Sequence, residues 1–211
     1  MALPGKQQGG RLFVYESSAF APQRLSGAFS GPLNMTEPHL TCLILGGARS
    51  GKSRHAEALA RAEAGTLHYI ATAEAHDAEM AARIARHRED RGDGWVTHEV
   101  PIALCDQLER FRADDRPVVI VDCLTLWLTN LILGDHDVAA AGDRLARVVD
   151  RVRYPLFIVA NEVGLSIVPE NALARRFRDE AGLLNQKIAA VASRVHFVAA
   201  GLPLVLKGPT S

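Results

Sequence analysis

Residues 45–57 read LGGARSGKSRHAE, a glycine-rich stretch that leads directly into a lysine and a serine. Four residues separate Gly46 from Gly51, and Lys52 and Ser53 follow, which is the spacing of a phosphate-binding loop, or P-loop. The glycines let the backbone curl so that its N–H groups face inward, and the positive end of a following helix favours an anion. In such a loop the lysine reaches the β- and γ-phosphates and the serine ligates magnesium. The predicted nucleotide-binding residues here are Gly46, Gly47, Ala48, Arg49, Ser50, Gly51, Lys52 and Ser53.

The segments on either side of the loop support this interpretation. Leu43–Leu45 form a short apolar run typical of a buried strand, and Ala56, Leu59 and Ala60 recur at helical spacing after the loop. The alternative is a helix-capping turn followed by a chance Lys-Ser pair, which the strand–loop–helix context disfavours. A P-loop alone does not separate kinases, switches, motors and transferases.

Length and composition predict one domain with a buried core, because the chain has 211 residues and is 48% hydrophobic. The formal net charge is zero, so nothing global indicates a nucleic-acid partner or an anionic membrane. No apolar run approaches the roughly 20 residues of a membrane span. Cys42, Cys105 and Cys123 are odd in number and lack metal-ligand spacing, which predicts reduced cysteines in a cytoplasmic protein. Cys42 and Cys123 fall in apolar strand-like runs, which predicts that these two pack in the core.

Residues 1–38 differ in composition from the rest of the chain. They are rich in Gly, Ser, Pro and Gln and nearly free of acidic residues, which is weakly typical of a transit peptide. The plainer alternatives are a flexible extension or an upstream start codon, with Met35 as the alternative start. We therefore expect a flexible extension over 1–38 and a P-loop domain over 39–211.

Strand and helix patterns alternate through the domain. This alternation predicts an α/β fold that resembles the P-loop NTPases, with a mostly parallel sheet and helices on both faces. After the strand and helix around the P-loop, strands are expected at 66–73, 95–100, 117–122, 155–164, 195–201 and 203–207. Helices are expected at 76–91, 101–113, 123–133, 137–152 and 171–193.

Polar residues that follow predicted strands are candidates for the site, since ligands of such sheets gather at the carboxyl ends of the strands. Asp122 ends a buried strand and is placed to hold magnesium, directly or through water. Its alternative role is the N-cap of the helix at 123–133, and both roles could coexist. Asn161 and Glu162 also follow a strand, with simple turn chemistry as their alternative.

The stretch EMAARIARHRED carries a histidine among arginines. His87 lies four residues after Arg83, so the two share a helix face, and a cluster of arginines suits phosphate. The arginines also disfavour a further positive charge, and a neutral imidazole is a nucleophile. The alternative is a solvated basic helix with an incidental histidine, and the residues alone leave both open. The cluster is completed by Arg86, Arg88 and Arg91.

The sequence resembles the bifunctional adenosylcobinamide kinase / adenosylcobinamide-phosphate guanylyltransferase family of cobalamin biosynthesis. The resemblance covers roughly residues 40–206, and the pair GGARSGKSRHAE and NEVG-x-x-IVPEN is its most specific part. The other matching segments are YIATA (69–73), EMAARIARHR (79–88), WVTHE (95–99), residues 121–132 and LARRFRDEAGLLNQKIA (173–189).

The resemblance implies two reactions. ATP or GTP first phosphorylates the aminopropanol hydroxyl of adenosylcobinamide. GTP then loads GMP onto a histidine with loss of pyrophosphate, and the GMP passes to the cobinamide phosphate to give adenosyl-GDP-cobinamide. The motif histidine falls on His87, with Lys52 as the second catalytic residue. The family is trimeric, and its corrinoid pocket is expected at a subunit boundary.

The resemblance also implies a residue set for the nucleotide, for Mg²⁺ and for the corrinoid. Ser53 and Asp122 are the implied metal ligands, and no nucleic acid or membrane span is expected. Asn161, Glu162 and Pro169 are more loosely implied as corrinoid-side loop positions. Beyond the P-loop, the implied nucleotide-site residues are Ala71, Thr72, Ala73, Arg88, Glu89, Asp90, Arg91, Glu99 and Asp122.

Two other protein classes share a P-loop. A single-function small-molecule kinase explains the loop and Asp122 but leaves the arginines around His87 without a role. A regulatory GTPase would recognise guanine through Asn-Lys-x-Asp after a strand. The strand ending near Ala160 is followed instead by NEVG, and no such motif occurs in the chain. The sequence therefore favours the bifunctional transferase.

Overall fold

The computed structural model of the chain describes residues 40–74 and 92–209. All of these residues belong to one compact unit. The predicted N-terminal extension and the predicted helix at 76–91 lie outside the described residues, so both remain predictions.

Residues 40–74 and 92–209 form seven strands and five α-helices. The strands are β1 (Thr41–Gly46), β2 (Thr66–Ala71), β3 (Trp95–Glu99), β4 (Pro117–Asp122), β5 (Leu156–Asn161), β6 (Arg194–Ala199) and β7 (Leu202–Lys207). The helices are α1 (Lys52–Ala62), α2 (Leu104–Arg110), α3 (Leu124–Leu133), α4 (Val138–Arg151) and α5 (Ala172–Val191), with a short 3₁₀ turn at Ala113–Asp115.

The strands form one sheet in the order β3-β2-β4-β5-β1-β6-β7. Every neighbouring pair is parallel except β6 and β7, which form an antiparallel hairpin at one edge. The predicted α/β class with a mostly parallel sheet is confirmed. One strand, β5, separates β1 from β4, so the carboxyl ends of these three strands lie side by side.

Helices cover both faces of the sheet, as predicted. One apolar layer packs beneath α2 to α5 and includes Trp127, Leu145 and Ile188. The other lies beneath α1 and includes Phe157 and Ile120. Alternate residues of each central strand therefore point to α1, and the rest point to the larger helical layer.

The predicted helix at 101–113 is wrong at both ends, because α2 covers only Leu104–Arg110. The carbonyl groups of Pro101 and Ile102 instead accept hydrogen bonds from side chains of α3. Asn130 Nδ2 donates to Pro101 at 3.1 Å, and Trp127 Nε1 donates to Ile102 at 2.9 Å. These contacts hold the segment before α2 in a bent conformation.

The three cysteines are free and buried, which confirms the predicted core position of Cys42 and Cys123 and adds Cys105 to the core. Burial raises the pKa of Cys42 to about 12 and the pKa values of Cys105 and Cys123 to about 11. All three are therefore protonated thiols at neutral pH. Within the residues that the structure describes, no helix is long and apolar enough to cross a membrane.

Candidate functional site

The P-loop joins the fully buried strand β1 to α1. It lies where the carboxyl ends of the parallel strands meet, which we call the carboxyl edge of the sheet. Gly51 occupies the N-cap position of α1 with φ of 97°, and Arg49 has φ of 55°. No side chain caps the helix at Gly51, so the first N–H groups of α1 are available to an anion. The loop thus has the geometry that the motif predicts for phosphate binding.

Lys52 is buried although it carries a charge. Its exposed fraction is 6%, and its Nζ donates a hydrogen bond to the carbonyl oxygen of Gly47 at 2.6 Å. A lysine is rarely buried without partners, because desolvating the ammonium is costly. The ammonium is therefore held against the backbone of the P-loop, where it reinforces the loop's attraction for phosphate.

The β6–β7 turn contacts the P-loop on the side away from β5. Gly201 N donates to Ser50 O at 2.8 Å, and a β-carbon on Gly51 would lie 3.3 Å from Gly201 Cα. A β-carbon on Gly46 would lie 2.3 Å from Val198 O. The sequence did not predict this contact, because 150 residues of chain separate the loop from the turn.

Asp122 ends β4 on the face of the sheet that α1 covers. The Tyr69 hydroxyl donates a hydrogen bond to Asp122 Oδ2 at 2.6 Å, which fixes the orientation of the carboxylate. The Tyr69 ring packs edge-on against Trp95, and the guanidinium of Arg61 lies over that indole, 5.2 Å from its centre. The sequence pattern predicted Tyr69 only as part of a strand and gave no indication of its contact with Asp122.

The alternative role of Asp122 as a helix cap does not hold. Cys123 occupies the N-cap position of α3, and no side-chain hydrogen bond caps the helix there. The Asp122 carboxylate contacts Tyr69 instead, so this residue is oriented by the neighbouring strand.

The stretch 71–73 begins at the last residue of β2 and lies beside the start of α3. Thr72 is fully buried, and its Oγ1 donates to Cys123 O at 2.7 Å and accepts from Cys123 N at 2.9 Å. Asn130 Nδ2 donates to Thr72 O at 2.8 Å. The Thr72 side chain therefore fixes the backbone, and Ala71 and Ala73 are the half-exposed members of the stretch.

Glu99 and Asp122 flank Ala71 in the sheet. Glu99 ends β3 and pairs with Ala71, which also pairs with Asp122. The three residues therefore form one row at the carboxyl edge. The remaining predicted site residues, namely His87, Arg88, Glu89, Asp90 and Arg91, lie outside the described residues.

Beside the P-loop, β5 ends at Asn161 and Glu162 begins a loop. Glu162 N donates to Gly46 O at 3.0 Å, and Glu162 Oε1 accepts from Gly164 N at 2.6 Å. Turn chemistry therefore accounts for the Glu162 side chain, whereas Asn161 pairs directly with Gly46 across the sheet. Further along this loop Leu165, Ile167 and Val168 are exposed.

The donor set fits a magnesium ion that is shared with phosphate. Within 40–74 and 92–209, no group of three or more His, Cys, Asp or Glu residues could hold a metal by itself. Magnesium typically takes one or two protein oxygens, and substrate phosphates and waters complete its shell. The Ser53 hydroxyl and the Asp122 carboxylate are oxygen donors of this kind.

Four histidines of the described part form two pairs. His55 Nε2 lies 2.9 Å from His196 Nδ1, and His68 Nδ1 lies 3.1 Å from His98 Nε2. Burial lowers the pKa of all four, and in the cases of His68 and His196 the paired imidazole lowers the pKa further. Each pair is therefore a neutral hydrogen-bonded contact at pH 7.

An apolar groove lies apart from the P-loop, between α3 and the start of α5. It encloses about 300 Å³, and its lining includes Ile132, Leu133, Leu173 and Phe177. Leu133 and Leu173 are exposed at its rim. The chemistry of the groove is thus hydrophobic, in contrast to the polar carboxyl edge of the sheet.

These features define an α/β protein of the P-loop class, with the loop on a central parallel strand and a carboxylate two strands away. A family model agrees and narrows the class: the one described as "Cobinamide kinase / cobinamide phosphate guanyltransferase" matches residues 42–206. The chain belongs to this family and is accordingly a bifunctional kinase and guanylyltransferase, which confirms the resemblance noted in the sequence.

Curated relatives carry matching names. The chain is 51% identical over 168 residues to the bifunctional adenosylcobalamin biosynthesis protein CobP of Pseudomonas aeruginosa, covering 79% of this chain and 96% of that protein. It is 42% identical over 180 residues to the bifunctional adenosylcobalamin biosynthesis protein CobU of Escherichia coli, and 41% identical to that of Salmonella typhimurium. Each of the latter two matches covers 78% of this chain and 98% of the relative.

Proposed function

We propose that this enzyme performs both family reactions in adenosylcobalamin biosynthesis. It phosphorylates adenosylcobinamide with ATP or GTP, and it then transfers GMP from GTP through a histidine adduct to adenosylcobinamide phosphate. The product is adenosyl-GDP-cobinamide. The observation that carries the proposal is the P-loop with its buried Lys52 at the same sheet edge as Asp122.

The kinase step uses the P-loop to hold the triphosphate. The substrate hydroxyl oxygen attacks the γ-phosphorus and a new P–O bond forms. The bond to the bridging oxygen breaks, this oxygen leaves with the nucleoside diphosphate, and the hydroxyl proton is released to water. Phosphoryl transfer depends mainly on positioning and charge stabilisation, which the loop N–H groups and the Lys52 ammonium supply. The hydroxyl is itself the nucleophile, so this step needs no protein nucleophile.

Ser53 and Asp122 would hold Mg²⁺, with Asp122 acting directly or through a water molecule. The ion would supply charge neutralisation at the transferring phosphate. The Tyr69 hydroxyl donates to Oδ2 of Asp122 and so orients the carboxylate that would hold the ion. Glu99 and the stretch 71–73 extend the same edge and complete the nucleotide site.

Guanylyl transfer requires attack on the α-phosphorus of GTP. We assign the nucleophile to His87, whose imidazole nitrogen forms a P–N bond as pyrophosphate leaves. A phosphate oxygen of the cobinamide phosphate then attacks the same phosphorus, and the P–N bond breaks. The basic residues Arg88 and Arg91 attract the phosphates. Glu89 and Asp90 stand between these two arginines in the sequence. Sequence spacing and family resemblance support this assignment.

Labelled nucleotides test the proposal. After incubation with α-labelled GTP and denaturation, a GMP adduct that is labile to acid and stable to alkali is expected. With γ-labelled ATP, label should move to adenosylcobinamide. A single-function kinase would give phosphorylation without an adduct, and a regulatory GTPase would give neither result.

Assembly as a homotrimer in the cytoplasm completes the proposal. Three protonated, unpaired cysteines fit a reducing compartment. Exposed Leu165, Ile167 and Val168 give the loop after β5 an apolar surface, which suits contact with a corrinoid or a second subunit. Light scattering coupled to gel filtration should give three times the chain mass, and a monomer mass would contradict the trimer.

A further inference from the structure

Asn161 lies between the two parts of the candidate site. It is the last residue of β5 and pairs with Gly46, the first residue of the P-loop. On the other side of β5, Val159 pairs with Asp122. Parallel strands are about 4.8 Å apart, so the end of β5 bridges the gap between the P-loop and Asp122.

Strand alternation places the Asn161 side chain on the face that α1 covers. Phe157 and Val159 belong to the apolar layer beneath α1, and Asn161 is the next residue of that series. Asp122 follows Ile120 on the same face by the same alternation. Helix α1 packs over both β4 and β5, so its N-terminus lies on the side of the carboxyl ends of these two strands.

The backbone of Asn161 is fixed on both sides. Its N–H donates to Thr125 Oγ1 at 2.7 Å, and its carbonyl oxygen accepts from Asn185 Nδ2 at 3.4 Å. The next residue bonds to the P-loop, since Glu162 N donates to Gly46 O at 3.0 Å. The position of Asn161 relative to the loop is therefore set by hydrogen bonds that do not use its side chain.

The side-chain carboxamide of Asn161 makes no hydrogen bond to any residue in 40–74 or 92–209, and the residue is half-exposed. Thr72 after β2, Asn130 in α3 and Asn185 in α5 are buried and use their side chains on backbone groups. Asn161 differs from them because its amide, with two N–H donors and one acceptor, stays open to a ligand.

We infer that the Asn161 carboxamide binds the terminal phosphate of the nucleoside triphosphate, which makes it a further catalytic residue of the kinase step. The inference rests on the proposed function. The P-loop N–H groups and Lys52 hold the phosphate chain at the end of β1, and Asp122 lies two strands away at the end of β4. A γ-phosphate that extends toward Asp122 passes the end of β5, where an uncharged N–H donor stabilises it without repelling the metal ion.

This contact exists only in a triphosphate complex, because a diphosphate ends before it reaches β5. Asn161 therefore contributes to the preference for triphosphate over diphosphate. Calorimetric titration with AMPPNP and with ADP, each with magnesium chloride, measures this preference as a ratio of dissociation constants. Asn161→Ala should weaken AMPPNP binding by about tenfold, the loss expected for a hydrogen bond to a charged group, and leave ADP binding unchanged.

Asn161→Asp gives a second variant of the same shape whose carboxylate repels the phosphate, and it should weaken AMPPNP binding further. Asn171→Ala is a matched control, since Asn171 is exposed and its side chain caps α5, accepting from Leu173 N and Ala174 N. It should leave the AMPPNP-to-ADP ratio at the wild-type value. Unchanged ADP binding also reports that each variant is folded.

Two outcomes would overturn the inference and leave the nucleotide site intact. One is that AMPPNP and ADP both bind Asn161→Ala with wild-type affinity, and the other is an equal loss of AMPPNP and ADP binding. Failure of the wild-type enzyme to bind AMPPNP would instead overturn the nucleotide site itself. Kinase turnover at saturating ATP should fall in both Asn161 variants, whereas formation of the GMP adduct at saturating GTP should fall less, because that step attacks the α-phosphorus.

Discussion

The Cα of Gly46 faces the carbonyl oxygen of Val198 so closely that a β-carbon there would lie only 2.3 Å from that oxygen. The same β-carbon would lie 2.7 Å from Ser50 Oγ, and Gly46 has φ of 153°. Gly46→Ala should therefore displace the P-loop from β6. We expect the free energy of unfolding to fall by about 2 kcal/mol or more, measured by urea denaturation.

Gly47→Ala is the matched control for this substitution, because a β-carbon on Gly47 would meet nothing within 4 Å. Its free energy of unfolding should stay within about 0.5 kcal/mol of the wild-type value. Equal losses in the two variants would show that crowding against Val198 is not the reason for glycine at position 46.

Lys52→Ala should abolish both half-reactions, because each requires the phosphates to be held and their charge neutralised. Removal of one comparable electrostatic contact costs a factor of about 10² or more in rate. Phosphorylation of adenosylcobinamide and formation of the GMP adduct are the two assays. Near-normal activity in either assay would mean that the two chemistries do not share the P-loop.

Asp122→Asn should weaken both reactions through the metal shell. At limiting magnesium we expect a loss of about 10- to 100-fold. Tyr69→Phe is a graded comparison, since it keeps the carboxylate charge and removes the 2.6 Å hydrogen bond that orients it. It should raise the magnesium concentration for half-maximal activity by less than Asp122→Asn does. Unchanged magnesium dependence in Asp122→Asn would exclude a role in metal binding.

His87→Ala or His87→Asn should lose the GMP adduct and guanylyl transfer but retain kinase activity. The reason is that only attack on the α-phosphorus needs a protein nucleophile. His55, His68 and His98 should be dispensable for the adduct, and substitution of His68 is a control far from the P-loop along the sheet. Peptide mapping after treatment with labelled GTP identifies the modified residue, and label on any other residue would disprove the assignment.

The two histidine pairs predict how stability depends on pH. Burial lowers their pKa values below the unfolded value of about 6.5, so the unfolded chain binds more protons than the folded chain in this range. Stability is therefore full above about pH 6.5 and falls as the pH drops toward the lowered folded pKa values. Urea denaturation at about pH 7.5 and about pH 5.5 should show this fall.

Substitution of one partner locates the origin of that pH dependence. His98→Gln removes one titrating group and leaves His68 without its imidazole neighbour, so the difference in unfolding free energy between the two pH values should shrink. A pH dependence equal to that of the wild type would place its origin outside this pair.

Most of the fold followed from the sequence, because period-two and period-3.6 patterns report directly which residues are buried. α3 begins and ends within a residue of its predicted limits, and β4 matches its predicted limits. The predicted helix at 101–113 was too long because its first carbonyl groups bond to side chains of α3. Such partners lie about 25 to 30 residues away, and no local pattern reports them.

The residues of the site likewise divide into those that a local sequence pattern predicts and those that only the strand order brings together. A contiguous motif predicted the P-loop and a strand-end position predicted Asp122, since both depend on local order. The Tyr69 hydroxyl, the turn at Gly201 and the open carboxamide of Asn161 come from strand order in the sheet. Because β5 lies between β1 and β4, residues far apart in the chain become neighbours at one edge.

Strand order also dictates when the nucleotide site can first exist during synthesis of the chain. β1 is made early, but its neighbours are β5 and β6, and Ser50 O accepts its bond from Gly201 N. A ribosome must therefore release nearly the whole chain before β1 can be paired on both sides and the loop can close against the last hairpin. Until then β1, which is apolar and buried in the finished fold, stays exposed to pairing with other chains.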